Sequence, residues 1–438
     1  MVTDIGKLRL TIGLAMLWLT TPAFGELPID QDPINYRTST ATDPVAKLQA
    51  KLARGEVKLK HDGDRQGYLK SVLEALKVPA ESQTLVFSKT SFQHSRIAPK
   101  TPRALYFNDD VYIGWVQGGD VLEIAAVDPR LGATFYLLDQ EPAAKPEFQR
   151  QTDTCIQCHI SGKTKDVPGF MLRSVYTDRI GYPVFSAGGF VTDQTSPLKE
   201  RWGGWYVTGK HGEQRHMGNV VVTNQAHPER LDFEAGANRT DLEGLVDTWP
   251  YLSRGSDLVA LMVFEHQVTM HNLITFAGYQ TRIGRHYDGE MNRAFGEPAE
   301  RVTDSTKGRM KDAASKLVEY MLFSDEARLT APVEGSSTFA TEFAARGPRD
   351  RKGRSLRDFD LKTRLFKYPC SFLIYSEAFD ALPTLMKEQV YQRLHDVLTG
   401  KNKRPEFAHL TDADRRAILE ILLDTKPGLP DAWKSGSL

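Results

Sequence analysis

The residues best suited to chemistry in this chain lie together in the pentapeptide CIQCH, residues 155–159. The chain has 3 cysteines, and two of them, Cys155 and Cys158, stand here with His159 directly after the second. Three kinds of site use such residues: a covalent haem attachment site, half of a tetrahedral zinc site, or a thiol–disulfide redox pair. Each alternative makes a different demand on the rest of the sequence.

The spacing favours haem attachment. Two cysteines three positions apart can bond the two vinyl groups on one porphyrin edge, and the adjacent histidine can then bind the iron. A zinc site needs further ligands, and no second CxxC or HxxxH pattern lies near the motif. A redox pair usually opens a helix in a βαβ pattern and gives His159 no role. The third cysteine, Cys370, lies in the apolar stretch KYPCSFLIY, which predicts a core position.

With this motif, the chain resembles c-type cytochromes over residues 141–220. It is similar to large exported proteins in which one cytochrome c segment is embedded in a bigger scaffold. The resemblance implies one haem c per chain, bound covalently through Cys155 and Cys158, with His159 as the proximal iron ligand. It also implies single-electron transfer to a redox partner.

Two further haem contacts follow from the resemblance. In small cytochromes c, a proline shortly after the proximal histidine offers its carbonyl to the histidine Nδ1 proton. Pro168 stands at this spacing, and an ordinary loop proline is the alternative. A methionine further along the chain is the distal ligand in these proteins, and Met217 is expected to take that role. His216 and His211 are the runners-up, and a core methionine is the ordinary alternative.

Three other residues are weaker candidates. Trp205, in the stretch RWGGWYVTG, is expected either to wall one face of the haem or to fill the core. Glu265 and His266 are polar residues inside an apolar helical stretch, which suggests proton donors near the haem edge. The alternative is that both form hydrogen bonds inside a layer of packed helices.

The elements around the motif predict an α+β fold. Helical spacing marks residues 26–80, and short β-branched and aromatic segments separated by turn residues predict an antiparallel meander over 84–139. A short helix over 141–154 is expected to lead into CIQCH. From residue 226 onward the pattern is mainly helical, with Ser256 capping one helix and Thr411 capping the last.

Four segments therefore describe the expected organisation. Residues 1–25 are a predicted signal peptide, 26–140 contain the N-terminal helices and the antiparallel β region, 141–225 form the haem-binding segment, and 226–438 are the mainly helical region. The signal peptide rests on Lys7 and Arg9 before an apolar stretch over 10–19, with small residues up to Gly25. An uncleaved anchor is the alternative.

Charge and location limit the partners. Lys+Arg and Asp+Glu both number 56, so no net positive field favours nucleic acid. The export signal places the mature chain in the periplasm or otherwise outside the cytoplasm, with no transmembrane segment after signal removal. The sequence thus predicts an exported monohaem c-type cytochrome. The alternatives are a haem-dependent oxidoreductase of the peroxidase kind and a haem-based sensor.

Overall fold

The fold is α+β, as the sequence predicts. The computed structural model describes residues 28–228 and 230–435. The predicted signal peptide, residues 1–25, lies outside the described residues. None of the helices in the described ranges combines the length and the apolar character needed to cross a membrane.

A seven-stranded antiparallel sheet forms the frame, with strand order β6-β5-β4-β3-β2-β1-β9. Consecutive strands β1 to β5 are neighbours, which confirms the meander predicted for 84–139. Turn residues such as Asn108 make this possible, because its side chain accepts hydrogen bonds from the backbone of the next strand. The seven strands are β1 Thr84–Val86, β2 Arg103–Phe107, β3 Val111–Trp115, β4 Val121–Asp128, β5 Gly132–Asp139, β6 Phe148–Gln151 and β9 Trp205–Tyr206.

The helix predicted for residues 141–154 is wrong over nearly its whole length, since residues 141–153 contain no helix and only Thr154 belongs to one. Strand β6 occupies Phe148–Gln151 and pairs antiparallel with β5, with Phe148 opposite Leu138. Pro142 and Pro146 lack the amide protons that a helix would need there, and the free edge of β5 supplies a partner for extended chain. Strand β6 therefore brings the chain directly to helix α4, Thr154–His159, which contains the CIQCH motif.

The two faces of the sheet are covered differently. On one face, Tyr106 and Ile113 pack against the N-terminal helices, and Leu69 and Val72 belong to the same cluster. We call this the α3 face. Among the described residues, the α-helices before the sheet are α1 Pro44–Ala53, α2 Gly63–Gln66 and α3 Leu69–Ala75.

The opposite face, here called the α5 face, packs against the helical half of the chain. Phe107 and Tyr112 on this face lie against Phe264, with ring centroids 5.1 and 5.4 Å away. The later helices are α5 Leu258–Phe295, α6 Asp304–Met321, α7 Phe339–Ala345, α8 Glu377–Asp380, α9 Thr384–Leu398, α10 Asp412–Thr425 and α11 Ala432–Ser435. The short strands are β7 Leu172–Val175 paired with β8 Gly189–Thr192, and β10 Gly209–Lys210 paired with β11 Glu334–Gly335.

Helix α5 begins later than the sequence predicts. Asp257, not Ser256, caps it, since its carboxylate accepts hydrogen bonds from the amides of Val259 and Ala260 at 2.8 and 3.0 Å. The Ser256 hydroxyl instead donates to the Tyr206 carbonyl at 2.6 Å. Within 226–257, the described residues contain no helix. The helical region therefore begins at Leu258 and not near residue 226 as the sequence predicts. The capping box predicted at Thr411 is confirmed.

One apolar core joins the predicted segments. A single cluster of buried residues runs from Ile29 to Trp433, and it includes Phe135 of the sheet, Ile156 of the CIQCH helix and Phe264 of α5. The β region, the CIQCH segment and the helical region therefore pack together as parts of one core.

Candidate functional site

Helix α4 places the three residues of interest on one side. Successive helical residues are about 100° apart, so Cys155, Cys158 and His159 fall within an arc of about 100°. Ile156 points elsewhere and is buried in the core. The short helix therefore presents two thiols and an imidazole together, while Ile156 anchors its other side.

The two thiols of the motif are free and differ in exposure. Cys158 is exposed, and Cys155 is half-buried beside the sheet. Burial raises the pKa of the Cys155 thiol to about 11, and the nearby Glu123 carboxylate raises it further. Cys155 is therefore a thiol at neutral pH, whereas a reactive redox pair needs a thiol whose pKa is lowered. Cys370 is free and buried in the core, as its apolar context predicts.

The imidazole of His159 is held by a backbone carbonyl. His159 Nδ1 lies 2.8 Å from the oxygen of Gly169. A carbonyl only accepts, so Nδ1 carries the proton and Nε2 presents its lone pair. Burial lowers the pKa of His159, and the cations Arg103 and Arg173 lower it as well. The ring is therefore neutral at neutral pH, in the form that binds a metal.

The carbonyl differs by one position from the sequence-based expectation. The Pro168 oxygen accepts a hydrogen bond from the amide of Ala133 at 3.0 Å, which ties this loop to strand β5. Gly169, the next residue, is the acceptor for His159. A carbonyl that accepts the His159 Nδ1 proton is thus present, but Gly169 provides it in place of Pro168.

An ion pair lies on the α5 face beside CIQCH. Arg103 on β2 and Glu123 on β4 are 2.7 Å apart, and both are partly buried. The guanidinium crosses strand β3 over Gly114, where any Cβ would lie 2.3 Å from Arg103 Nη2. The absence of a side chain at Gly114 is what permits this contact. Next to the pair, Ala125 and Leu137 are half-buried, so this part of the face is apolar and incompletely covered.

The loop after CIQCH is fastened to helix α5. Asn272 accepts a hydrogen bond from the Phe170 amide at 2.8 Å and donates one to the Phe170 carbonyl at 2.7 Å. The Gly169 amide in turn donates to the His159 carbonyl at 3.0 Å. Neither Gly169 nor Asn272 stands out as a ligand-holding residue in the sequence. The only signal was that Asn272 is polar inside an apolar helix.

The contacts of Met217 give no support to its role as the distal ligand. Its side chain is buried, and its sulfur accepts a hydrogen bond from the Ser174 hydroxyl at 3.7 Å. Its methyl group packs against Gly203. Among the hydrogen bonds and ring contacts of the described residues, none joins Met217 to His159. The assignment stays a prediction.

The alternative ligands His211 and His216 are bonded within the fold, His211 at both ring nitrogens and His216 at Nδ1, while His216 Nε2 is buried without a hydrogen-bond partner. His211 uses both ring nitrogens, Nδ1 with the Gln214 carbonyl at 2.7 Å and Nε2 with the Asn238 amide at 2.9 Å. His216 Nδ1 accepts a hydrogen bond from the Gly218 amide at 3.0 Å, so its proton lies on Nε2. Neither ring offers a lone pair in this arrangement.

Trp205 is a core residue of strand β9. Its indole Nε1 donates to the Arg173 carbonyl at 2.7 Å, and its ring lies 6.3 Å from Phe264. Of the two sequence-based alternatives for Trp205, these contacts favour filling the core. They also connect strand β9 to β7, from which Arg173 acts on His159.

Glu265 is part of a buried ion pair. Arg201 donates to one carboxylate oxygen at 2.9 Å, and the Thr192 hydroxyl donates to the other at 2.7 Å. Arg201 also donates to the carbonyls of Gln194 and Ser196. The carboxylate therefore fastens α5 to the chain around β8, and both of its oxygens are engaged in that task.

His266 is fully bonded as well. Its Nδ1 contacts Gln194 Oε1 at 2.5 Å, and its Nε2 contacts the Ser371 hydroxyl at 2.8 Å. Its ring stacks on Phe323 at 4.5 Å. Burial lowers the pKa of His266 to about 3, so the ring stays neutral. The contacts of Glu265 and His266 thus match the alternative reading, a hydrogen-bonded polar layer between helices.

The residues present at CIQCH fit a covalently attached haem. Two free thiols and an imidazole with its Nε2 lone pair lie on one side of α4, next to an apolar patch that is incompletely covered. In the part of the chain that the structure describes, no group of three or more His, Cys, Asp or Glu side chains is arranged to hold a metal ion. Comparisons with protein-family models, curated proteins and solved structures found no match.

Proposed function

We propose that this chain is an exported monohaem c-type cytochrome that transfers single electrons. Cys155 and Cys158 would hold the haem covalently, and His159 would be its proximal ligand. A bound haem supplies an iron that changes oxidation state by one electron. The observation that carries the proposal is the hydrogen bond from His159 Nδ1 to Gly169, which directs the Nε2 lone pair away from the backbone.

The chain's own residues would tune the site. Hydrogen bonding of Nδ1 to Gly169 fixes the tautomer of His159 and raises its basicity as a ligand. The partly buried Arg103 and the exposed Arg173 lie close enough to affect the His159 ring, and Glu123, which pairs with Arg103, acts on it in the opposite direction.

An enzymatic role has less support. The sequence-based candidates for a proton donor, Glu265 and His266, are buried and use their polar atoms in contacts within the fold. Electron transfer needs no such donor. The periplasmic location and removal of the signal peptide belong to the same proposal and rest on residues 1–25, whereas a redox partner follows from the resemblance to c-type cytochromes.

The decisive experiment is haem retention after denaturation. The full-length chain would be expressed with export and cytochrome c maturation, then extracted with acid and acetone. We expect the haem to stay with the polypeptide of the wild type and to be lost from Cys155→Ala/Cys158→Ala. The matched control is Cys370→Ala, which removes a cysteine from the core and should retain the haem. Free extraction from the wild type, or retention by the double variant, would refute the proposal.

A further inference from the structure

We propose that Asn272 of helix α5 is a positioning residue for His159. It acts through the backbone of Gly169 and Phe170, and it lies on an element far from CIQCH in the sequence. The consequence for the iron rests on the proposed function, whereas the effect on the His159 ring does not.

The first link is a two-point contact. Asn272 Oδ1 accepts from the Phe170 amide at 2.8 Å, and its Nδ2 donates to the Phe170 carbonyl at 2.7 Å. Both backbone groups are buried, so removing the amide side chain would leave a buried donor and a buried acceptor without partners. The two bonds fix both the position and the rotation of this backbone unit.

The second link joins Gly169 to His159 twice. The Gly169 amide donates to the His159 carbonyl at 3.0 Å, and the Gly169 carbonyl accepts from His159 Nδ1 at 2.8 Å. A Cβ at Gly169 would lie 2.4 Å from Asn272 Oδ1 and 2.9 Å from Thr164 Cβ. Only glycine therefore lets the loop come this close to α5 while holding the histidine.

Asn272 lies on a part of helix α5 that is packed in the core. Helix α5 crosses the core and is buried along most of its first half, so the amide side chain is held at a fixed point. The direction of His159 Nε2 is therefore set by a helix that follows the motif by about a hundred residues in the chain. Such outer contacts typically change ligand affinity by about 10- to 100-fold when they are removed.

The test compares Asn272→Ala with a matched control, Gln267→Ala. Gln267 lies on the same helix, is buried, and donates to the Asn108 carbonyl and the Tyr112 hydroxyl at 2.9 and 2.8 Å. Both variants lose two hydrogen bonds of α5, but only the two bonds of Asn272 go to the loop that holds His159. The general cost of a truncated buried amide should be similar in the two.

The first readout is the imidazole tautomer of His159, from nitrogen NMR of ¹⁵N-histidine-labelled protein, assigned with His159→Gln. Without haem, we expect a ring protonated at Nδ1 in the wild type and in Gln267→Ala. In Asn272→Ala we expect exchange between tautomers. Gly169→Ala gives a second probe if Asn272→Ala does not fold, because its methyl group must displace Asn272. An unchanged His159 ring in either folded variant would overturn the proposal.

The second readout is the reduction potential of the haem-loaded proteins. We expect a shift in Asn272→Ala at unchanged haem content and none in Gln267→Ala. A wild type without covalent haem would refute the proposed function, yet the tautomer measurement would still decide the role of Asn272. A wild type that holds haem, together with an Asn272→Ala variant of unchanged potential and tautomer, would refute the positioning role alone.

Discussion

The CIQCH site and the polar layer of helix α5 contain similar residue types in different states of hydrogen bonding. In the polar layer, defined here as Glu265, His266 and their partners, both ring nitrogens and both carboxylate oxygens are engaged within the fold. At CIQCH, His159 uses one nitrogen, and Cys155 and Cys158 are free. The comparison teaches that Glu265 and His266 serve the packing of α5, whereas Cys155, Cys158 and His159 keep groups that a ligand could use.

Breaking the ion pair of the polar layer should have the largest effect on stability. Glu265→Leu leaves Arg201 buried without its carboxylate, and we expect a loss of about 3–5 kcal/mol in the free energy of unfolding. Urea denaturation measures this loss. The control Glu265→Leu/Arg201→Met removes both charges and should cost clearly less. If Glu265 takes part in chemistry rather than architecture, the single variant would instead keep its stability and lose activity.

The histidine of the polar layer should make stability depend on pH. Burial lowers the pKa of His266 from 6.5 to about 3, so below pH 6.5 the unfolded chain takes up a proton that the folded chain does not. Stability from this residue is therefore present above pH 6.5 and is lost on acidification, by about 2 kcal/mol between pH 7 and pH 5. Urea unfolding at both pH values should show a weaker dependence in His266→Gln.

The control for that measurement is His94→Gln, because His94 is exposed and its ring is outside the core. Its replacement should leave the acid dependence as in the wild type. An equal acid dependence in wild type and His266→Gln would show that His266 is not held neutral by the fold. The polar layer would then resemble a site that can take up protons.

The smallest effect on stability is expected from Met217→Leu. This variant tests whether Met217 belongs to the CIQCH site or only to the packed core. The swap nearly conserves volume, and it removes one hydrogen bond from Ser174 to sulfur, so we expect a cost below about 1.5 kcal/mol. An unchanged absorption spectrum and reduction potential of the haem-loaded protein would exclude Met217 as the distal ligand. A lower potential together with new binding of carbon monoxide would instead identify Met217 as the distal ligand.

Much of the sheet was predictable because its signals are local. Strands β2 to β5 carry β-branched and aromatic residues, and turn residues separate them. Strand β6 was missed because FQRQ has little β character of its own, and its extended form depends on the edge of β5. The start of α5 was placed one residue early because both Ser256 and Asp257 are able to cap a helix, and only the contact to Tyr206 decides between them.

The part of the CIQCH site whose residues are close together in the sequence could be predicted. Cys155, Cys158 and His159 form a local pattern, whereas Asn272 meets Phe170 only through the folded core. The difference between Pro168 and Gly169 depends on which carbonyl strand β5 engages, and one sequence gives no information about that contact. Glu265 and His266 are candidates in the sequence because their partners, Thr192 and Ser371, are far away along the chain. Only the folded structure shows these contacts.

The larger cluster of buried residues, which runs from Ile29 to Trp433, limits how this protein can be divided. A fragment that ended before α5 would keep CIQCH but would lose Phe264 and the amide that fastens Phe170. The motif is therefore not a folding unit of its own, because the contacts that hold its loop and its neighbouring core come from helix α5. Proteolysis of the native protein should then release no haem-bearing piece of the size of a small cytochrome.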